Sequence, residues 1–156
     1  MESIGSSIAI NIASSFIYDS ANSIFKYFFK STIDEYKLKK AIENYINENI
    51  VEDFIQLTTS DIIDTYLNSP QVYDIISSYI LVKNVTKYCS KGKHSSVSLN
   101  KILEIFSDDI IALYESSNDL ITPDKKLVIK YLEFIVACIE TVVFYDLEDN
   151  DKRIIY

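Results

Sequence analysis

Apolar and polar residues recur along the chain with the period of an α-helix. Over about residues 4–30, apolar residues from Ile10 to Phe28 return at steps of three or four. Polar residues from Ser15 to Lys26 return in the same way on the opposite side. Two stripes of opposite character predict an amphipathic first helix with one side in a core.

The same spacing predicts five further helices, separated by short polar segments. They cover about residues 33–56, 60–68, 70–88, 99–115 and 123–145. The sixth predicted helix is apolar around most of its circumference, and its charged residues form one narrow strip. Such a helix is expected either at the centre of a bundle or under a partner.

Residues that begin helices stand at several of these boundaries. Thr32 and Glu35 have the spacing of a capping box at the start of the second helix. Ser69-Pro70 and Thr122-Pro123 each combine a capping residue with a proline. Proline suits the first helical position, because its missing N–H would have no partner there.

The composition favours helices over sheets. The chain has 156 residues but only Gly 2 and Pro 2, and sheet-rich folds need these residues in many tight turns. A chain of this length fits one domain and can bury roughly 70% of its unfolded surface. We therefore predict an all-α, single-domain bundle of about six helices over residues 1–145. Residues 146–156 are interpreted as an acidic tail or the start of a linker to a following domain.

The net charge and the uncharged N-terminal segment restrict the cellular location and the binding partners that can be expected. A net charge of −8 disfavours nonspecific binding to nucleic acid or anionic lipid, since both would be repelled. Residues 3–18 carry no charge but are interrupted by serine and asparagine, and they are shorter than the ~20 apolar residues of a membrane span. Cys89 and Cys138 show no paired spacing. These features predict a cytoplasmic protein without a membrane span.

Few residues of the chain could carry catalysis. His94 is the single histidine, and with glycine only at positions 5 and 92 no glycine-rich phosphate loop is possible. Cys89 and His94 lack the further ligands of a structural zinc site. Two acidic pairs, Asp108-Asp109 and Asp61 with Asp64, are typical of solvated helix surfaces. We predict no enzyme activity, no cofactor and no metal.

Apolar residues in excess of one helix face suggest contact with another protein. Phe25, Tyr27, Phe28 and Phe29 crowd the end of the first helix, and one face cannot bury all four. Either other helices surround this end or it belongs to an interface. Together with the sixth helix, this predicts a protein interface that binds a partner or a second copy. The predicted interface residues are Phe25, Phe29, Ile135, Ile139 and Val143.

One segment carries a family resemblance. Residues 54–80 contain the motif Tyr66-Leu67-Asn68-Ser69-Pro70-Gln71-Val72, and an N-terminal helix with an Ile-Gly-x-x-Ile-Ala pattern leads to Ile17-Tyr18-Asp19. Together they resemble the N-terminal helical domains of bacterial NACHT/STAND-type NTPases of conflict systems, which act against phage. The resemblance implies an adaptor or oligomerisation domain ahead of a nucleotide-binding module.

Two other classes of protein share some of these features. Poxviral Bcl-2-like proteins have a similar small size, helical content and richness in isoleucine and tyrosine, and they bind host proteins. A membrane-associating effector is the third interpretation, since the uncharged start of the first helix is compatible with a bilayer interface.

Overall fold

The computed structural model describes residues 14–29, 34–89, 98–118 and 120–146. This part of the chain is all-α, with seven α-helices and no β-sheet, which confirms the predicted fold class. The helices are α1 (Ser14–Phe28), α2 (Glu35–Asn49), α3 (Ile55–Thr58), α4 (Asp61–Leu67), α5 (Pro70–Cys89), α6 (Leu99–Glu115) and α7 (Lys125–Thr141). A 3-10 turn, Glu52–Phe54, precedes α3, and a π-helical turn, Val142–Asp146, follows α7.

Helix α7 lies at the centre of the bundle. It packs against α1, α2, α5 and α6, and side chains on several of its sides are buried. Only the strip of Lys126, Lys130 and Glu133 faces solvent in its first three turns. The apolar circumference is therefore covered by neighbouring helices, one of the two arrangements that the pattern predicted.

The aromatic end of α1 is also enclosed by the chain itself. Phe25, Phe28 and Phe29 are buried, whereas Tyr27 is 53% exposed. The ring of Phe144, from the π-helical turn, lies 5.0 Å from that of Phe28 in an edge-to-face arrangement. Such aromatic pairs add stability beyond the area that they bury. The crowding therefore reflects a core contact between α1 and the end of α7.

The second predicted helix was too long. Helix α2 ends at Asn49, and Ile50 has an extended backbone with φ −68° and ψ 138°. The row of apolar residues nevertheless keeps its helical spacing as far as Phe54. For this reason the break at Ile50 could not be predicted from the pattern. The bend lets the Phe54 ring pack 5.5 Å from Tyr131 and 5.4 Å from Phe134 on α7.

Two predicted helix starts were also wrong. Asp34 caps α2 by accepting a hydrogen bond from the Tyr36 backbone N–H at 2.8 Å, so the cap is not at Thr32, which lies outside the described residues. Helix α7 begins at Lys125 after Asp124, and Pro123 precedes it. Aspartate is as good a capping residue as serine or threonine, and Asp34 stands next to the helix that it caps. Asp124 occupies the N-cap position of α7, but its side chain forms no hydrogen bond with the helix.

Other boundaries were predicted correctly. Ser60 caps α4 by accepting from the Ile63 N–H at 3.3 Å, and Pro70 is the first residue of α5. The predicted loop at residues 90–96, the predicted tail after residue 146 and the first part of the predicted first helix, residues 4–13, lie outside the described residues. Among the helices that the structure describes, none has the length and apolar character needed to cross a bilayer.

Candidate functional site

The five predicted interface residues all lie inside the bundle. Phe25, Ile139 and Val143 are 0% exposed, Ile135 is 1% exposed and Phe29 is 3% exposed. The folded chain offers none of these side chains to a partner. Their role in an interface stays a prediction that would require the bundle to open. A contact surface on the closed bundle must be formed by other, exposed residues.

Exposed apolar side chains collect on α6 and on the connection that follows it. Ile105 is 60% exposed, Leu113 44%, Leu120 49% and Ile121 94%. We call these four residues the α6 surface. Ala112, seven residues after Ile105 and thus on the same side of the helix, is also exposed. Single exposed apolar residues are ordinary, but four on one helix and its connection, with Ile121 almost wholly in water, form a candidate contact surface.

The packing of α6 explains why this side faces outward. Its opposite side, with Leu103, Phe106, Ile110 and Tyr114, is buried against the rest of the bundle. Helix α4 flanks it on one side, where the Tyr66 and Phe106 rings meet edge-to-face at 5.7 Å. Helix α7 flanks it on the other side, where Lys125 pairs with acidic residues of α6. The outward side, which carries Ile105, is left uncovered between these two neighbours.

Acidic side chains border the α6 surface. Asp108 pairs with Lys125 at 2.7 Å, and Glu104 lies 3.4 Å from the same ammonium group. On the other border, Asp109 accepts a hydrogen bond from the Tyr66 hydroxyl at 2.7 Å. Glu115 is exposed near the end of the helix. These four carboxylates outnumber the two nearby lysines, Lys101 and Lys125, so the border is net negative.

Tyr66 and Tyr114 form hydrogen bonds between neighbouring elements, and Tyr131 of α7 is buried. Burial, with the Asp109 carboxylate as hydrogen-bond acceptor, raises the pKa of Tyr66 above its usual range. Burial also raises the pKa of Tyr131, with a smaller contribution from the charge of Asp64. The Tyr114 hydroxyl donates to Ser60. The Tyr66 phenol, protonated at neutral pH as tyrosine ordinarily is, donates to the Asp109 carboxylate and ties α4 to α6.

An open cleft of about 450 Å³ lies between α1 and α2. The Lys39 ammonium group pairs with Glu35 at 2.8 Å and lies 5.5 Å from the centre of the Tyr18 ring. The remaining lining residues are Ser15, Asp19, Ile42 and Glu43. Lys39 and Glu35 are more than half exposed, so solvent weakens their attraction. The lining surface is mostly apolar, but the cleft is open to solvent, whereas small-molecule sites are usually enclosed.

A buried polar contact connects α5 and α7. The buried Asn84 amide donates to the Ile80 carbonyl oxygen at 2.8 Å and to Glu140 Oε2 at 3.2 Å. Lys83 Nζ lies 3.1 Å from Glu140 Oε1, and the Glu140 side chain is only 16% exposed. The carboxylate thus has a partner on each oxygen, as a charge in such a position requires.

The acidic pairs do not form a metal site. Asp108 and Asp109 turn to different partners on opposite borders of α6. Asp64 accepts from the Asn68 amide at 3.1 Å, while Asp61 is exposed. Within the described part of the chain, no three histidine, cysteine, aspartate or glutamate side chains come together in a way that could hold a metal ion.

The α6 surface was not predicted from the sequence, although a signal for it exists. Leu120-Ile121 stands between Asp119 and Thr122, in a connection where the helical period has ended. Because this apolar pair lies outside any helical pattern, the pattern gives no reason to place it in the core. In α6 itself, Ile105 falls off the row formed by Leu103, Phe106 and Ile110, which the three-and-four spacing places together.

Comparison with known proteins identifies no relative. The chain matches no protein-family model, no curated protein and no solved structure.

Proposed function

We propose that this chain is a non-enzymatic protein-interaction domain that contacts its partner through the α6 surface. The observation that carries the proposal is the exposure of Ile121, at 94%, beside Leu120 and close in sequence to Leu113. The core of the bundle is already formed by other residues, so these side chains have no packing role in the described fold. Their exposure is accounted for if a partner covers them.

Burial of these side chains by a partner would change the affinity strongly. Covering one isoleucine or leucine side chain that was exposed contributes about 1.5–3 kcal/mol. Each 1.4 kcal/mol changes affinity about tenfold. Ile121 and Ile105 together can therefore dominate a small interface, as a few apolar anchors commonly do.

The polar groups of the described chain support a binding role over a catalytic one. Tyr66 and Asp109 satisfy each other, and Glu140 is held by Lys83 and Asn84. Catalysis needs a nucleophile or a base that is left available in a pocket. In the described residues, the interhelical carboxylates instead serve as acceptors for groups that hold the bundle together.

The wider setting that we propose is the N-terminal module of a bacterial conflict NTPase. It is supported by the resemblance of the N-terminal helix that leads to Ile17-Tyr18-Asp19 and of residues 54–80, which contain the Tyr66–Val72 segment. In the fold, the residues of this segment have structural roles: Leu67 and Val72 are buried, and Ser69 Oγ donates to the Tyr66 carbonyl oxygen at 2.8 Å. A motif of this kind specifies the turn between α4 and α5 and does not indicate a binding partner.

Site-specific photocrosslinking in native cells tests the proposal. Benzoylphenylalanine is introduced in place of Ile121 or Ile105, and in place of Val51 as the matched control. Val51 is 48% exposed and lies between α2 and α3, away from α6 in the chain. We expect discrete crosslinked protein bands from positions 121 and 105 and none from position 51. No band from position 121 or 105, or the same bands from all three positions, would contradict the proposal.

A further inference from the structure

The acidic border of the α6 surface indicates the chemistry of its partner. We infer that the partner presents an apolar segment flanked by lysine or arginine side chains. This inference rests on the function proposed above and adds the sign of the partner's charge. It is carried by charge complementarity between the four carboxylates of α6 and the segment that covers Ile105 and Ile121.

The carboxylates lie where the two edges of a segment bound to the α6 surface would lie. Glu104, Asp108 and Glu115 stand at helical spacings along one border of the exposed side, and Asp109 stands on the other. Ile105 and Ala112 lie between the two borders. A segment that packs apolar side chains against Ile105 and Ala112 therefore brings its flanking residues close to carboxylates on both sides.

Two carboxylates remain available for such contacts. Glu115 and Asp124 are exposed, and neither forms a hydrogen bond or ion pair through its side chain with another described residue. Asp124 follows Ile121 by three residues, and Glu115 follows Leu113 by two. They extend the negative charge from the helix into the connection.

A second copy of the chain is a poor occupant of this surface. Each copy carries a net charge of −8 and would bring the same acidic border against itself. Like charges placed across an interface oppose association. A partner with basic flanks gains the apolar contact and removes this repulsion.

The test is a titration of the full chain with two synthetic amphipathic peptides of about five helical turns. Both carry the same leucine face, and one has lysine flanks where the other has glutamate flanks. We expect the lysine-flanked peptide to bind at least about tenfold more tightly. Its affinity should fall with added salt, since exposed charges are screened over about 8 Å at physiological ionic strength.

Variants of the chain locate the contact. Ile105→Ser with Ile121→Ser should weaken binding of the lysine-flanked peptide at least about tenfold. Glu115→Gln with Asp124→Asn should reduce the preference for lysine over glutamate flanks. The matched control, Glu48→Gln with Asp74→Asn, removes two exposed charges from α2 and α5 and should leave the preference unchanged.

The outcomes separate this inference from the proposed function. Equal binding of both peptides, or a preference that the Glu48 and Asp74 control lowers as much as the Glu115 and Asp124 variant, overturns the inference. Light scattering of the chain alone is measured in parallel. Self-association that Ile121→Ser abolishes would overturn the basic-partner inference while leaving a protein contact at the α6 surface intact. If neither peptide binds and crosslinking at position 121 is also negative, both proposals fail.

Discussion

Replacing Ile139 with alanine distinguishes a core helix α7 from one that forms a protein interface. Ile139 is 0% exposed, on the central helix of the bundle. Truncating a buried isoleucine to alanine costs about 2–5 kcal/mol, because the lost burial adds to the cavity that remains. Domains have free energies of unfolding of about 5–15 kcal/mol, so this is a large part of the total.

The assay is urea unfolding followed by the helical circular dichroism signal at pH 7. For a domain of this length, each 1 kcal/mol also lowers the midpoint of thermal unfolding by about 2–4 °C. The matched control is Ile121→Ala, which removes the same atoms from a side chain that is 94% exposed. Its free energy of unfolding should stay within about 0.5 kcal/mol of the wild type.

A small effect of Ile139→Ala would refute this reasoning. If the variant changes the free energy of unfolding by less than about 1 kcal/mol, the side chain is not enclosed by the neighbouring helices. If the same variant also abolishes association with a protein, then α7 acts as a contact surface, as its apolar circumference first suggested. The partner would then cover side chains of α7 and not those of the α6 surface.

Two further predictions concern the polar contacts. Glu140→Ala should lower the free energy of unfolding by about 1–3 kcal/mol, because it leaves the buried Asn84 amide with one acceptor. Lys39→Ala, which removes the exposed pair with Glu35, should change it by less than about 0.5 kcal/mol. Urea unfolding measures both, and equal costs would contradict the assignment. Burial raises the pKa of Tyr131, so the folded state disfavours the phenolate: stability should be unaffected below the ordinary tyrosine pKa of about 10 and fall above it by up to about 1.4 kcal/mol per pH unit. Tyr131→Phe should flatten this alkaline decline and the exposed Tyr36→Phe should not; identical pH profiles for the two variants would argue against the burial of the phenol.

The periodic pattern was enough to predict the longer helices, but it predicted neither their ends nor the short helix α3. The row of Ile42, Ile46, Ile50 and Phe54 keeps helical spacing across a real break, because Phe54 returns to the core after the chain has bent. Local capping chemistry was ambiguous in the same way. Several residues at each boundary can cap a helix, and the tertiary contacts select one of them.

The candidate site was harder to predict for a different physical reason. An apolar residue on α7 and an apolar residue on α6 look alike in the sequence, and only the neighbouring helices decide which is covered. Ile139 is enclosed because α7 is central, whereas Ile105 lies on the outer side of a peripheral helix. The residue pattern indicates that the helices carry excess apolar surface, but the three-dimensional arrangement decides where that excess remains exposed.

Amide hydrogen exchange distinguishes binding at the α6 surface from binding by an opened bundle. Exchange is measured on the full chain alone and bound to the protein that crosslinks at position 121. We predict slower exchange in α6 from Ile105 to Glu115 and in residues 116–124, with α7 between Ile135 and Thr141 unchanged. Faster exchange in α7 on binding, with residues 116–124 unaffected, would show that the partner opens the bundle to reach buried residues and would contradict the α6 surface as the contact site.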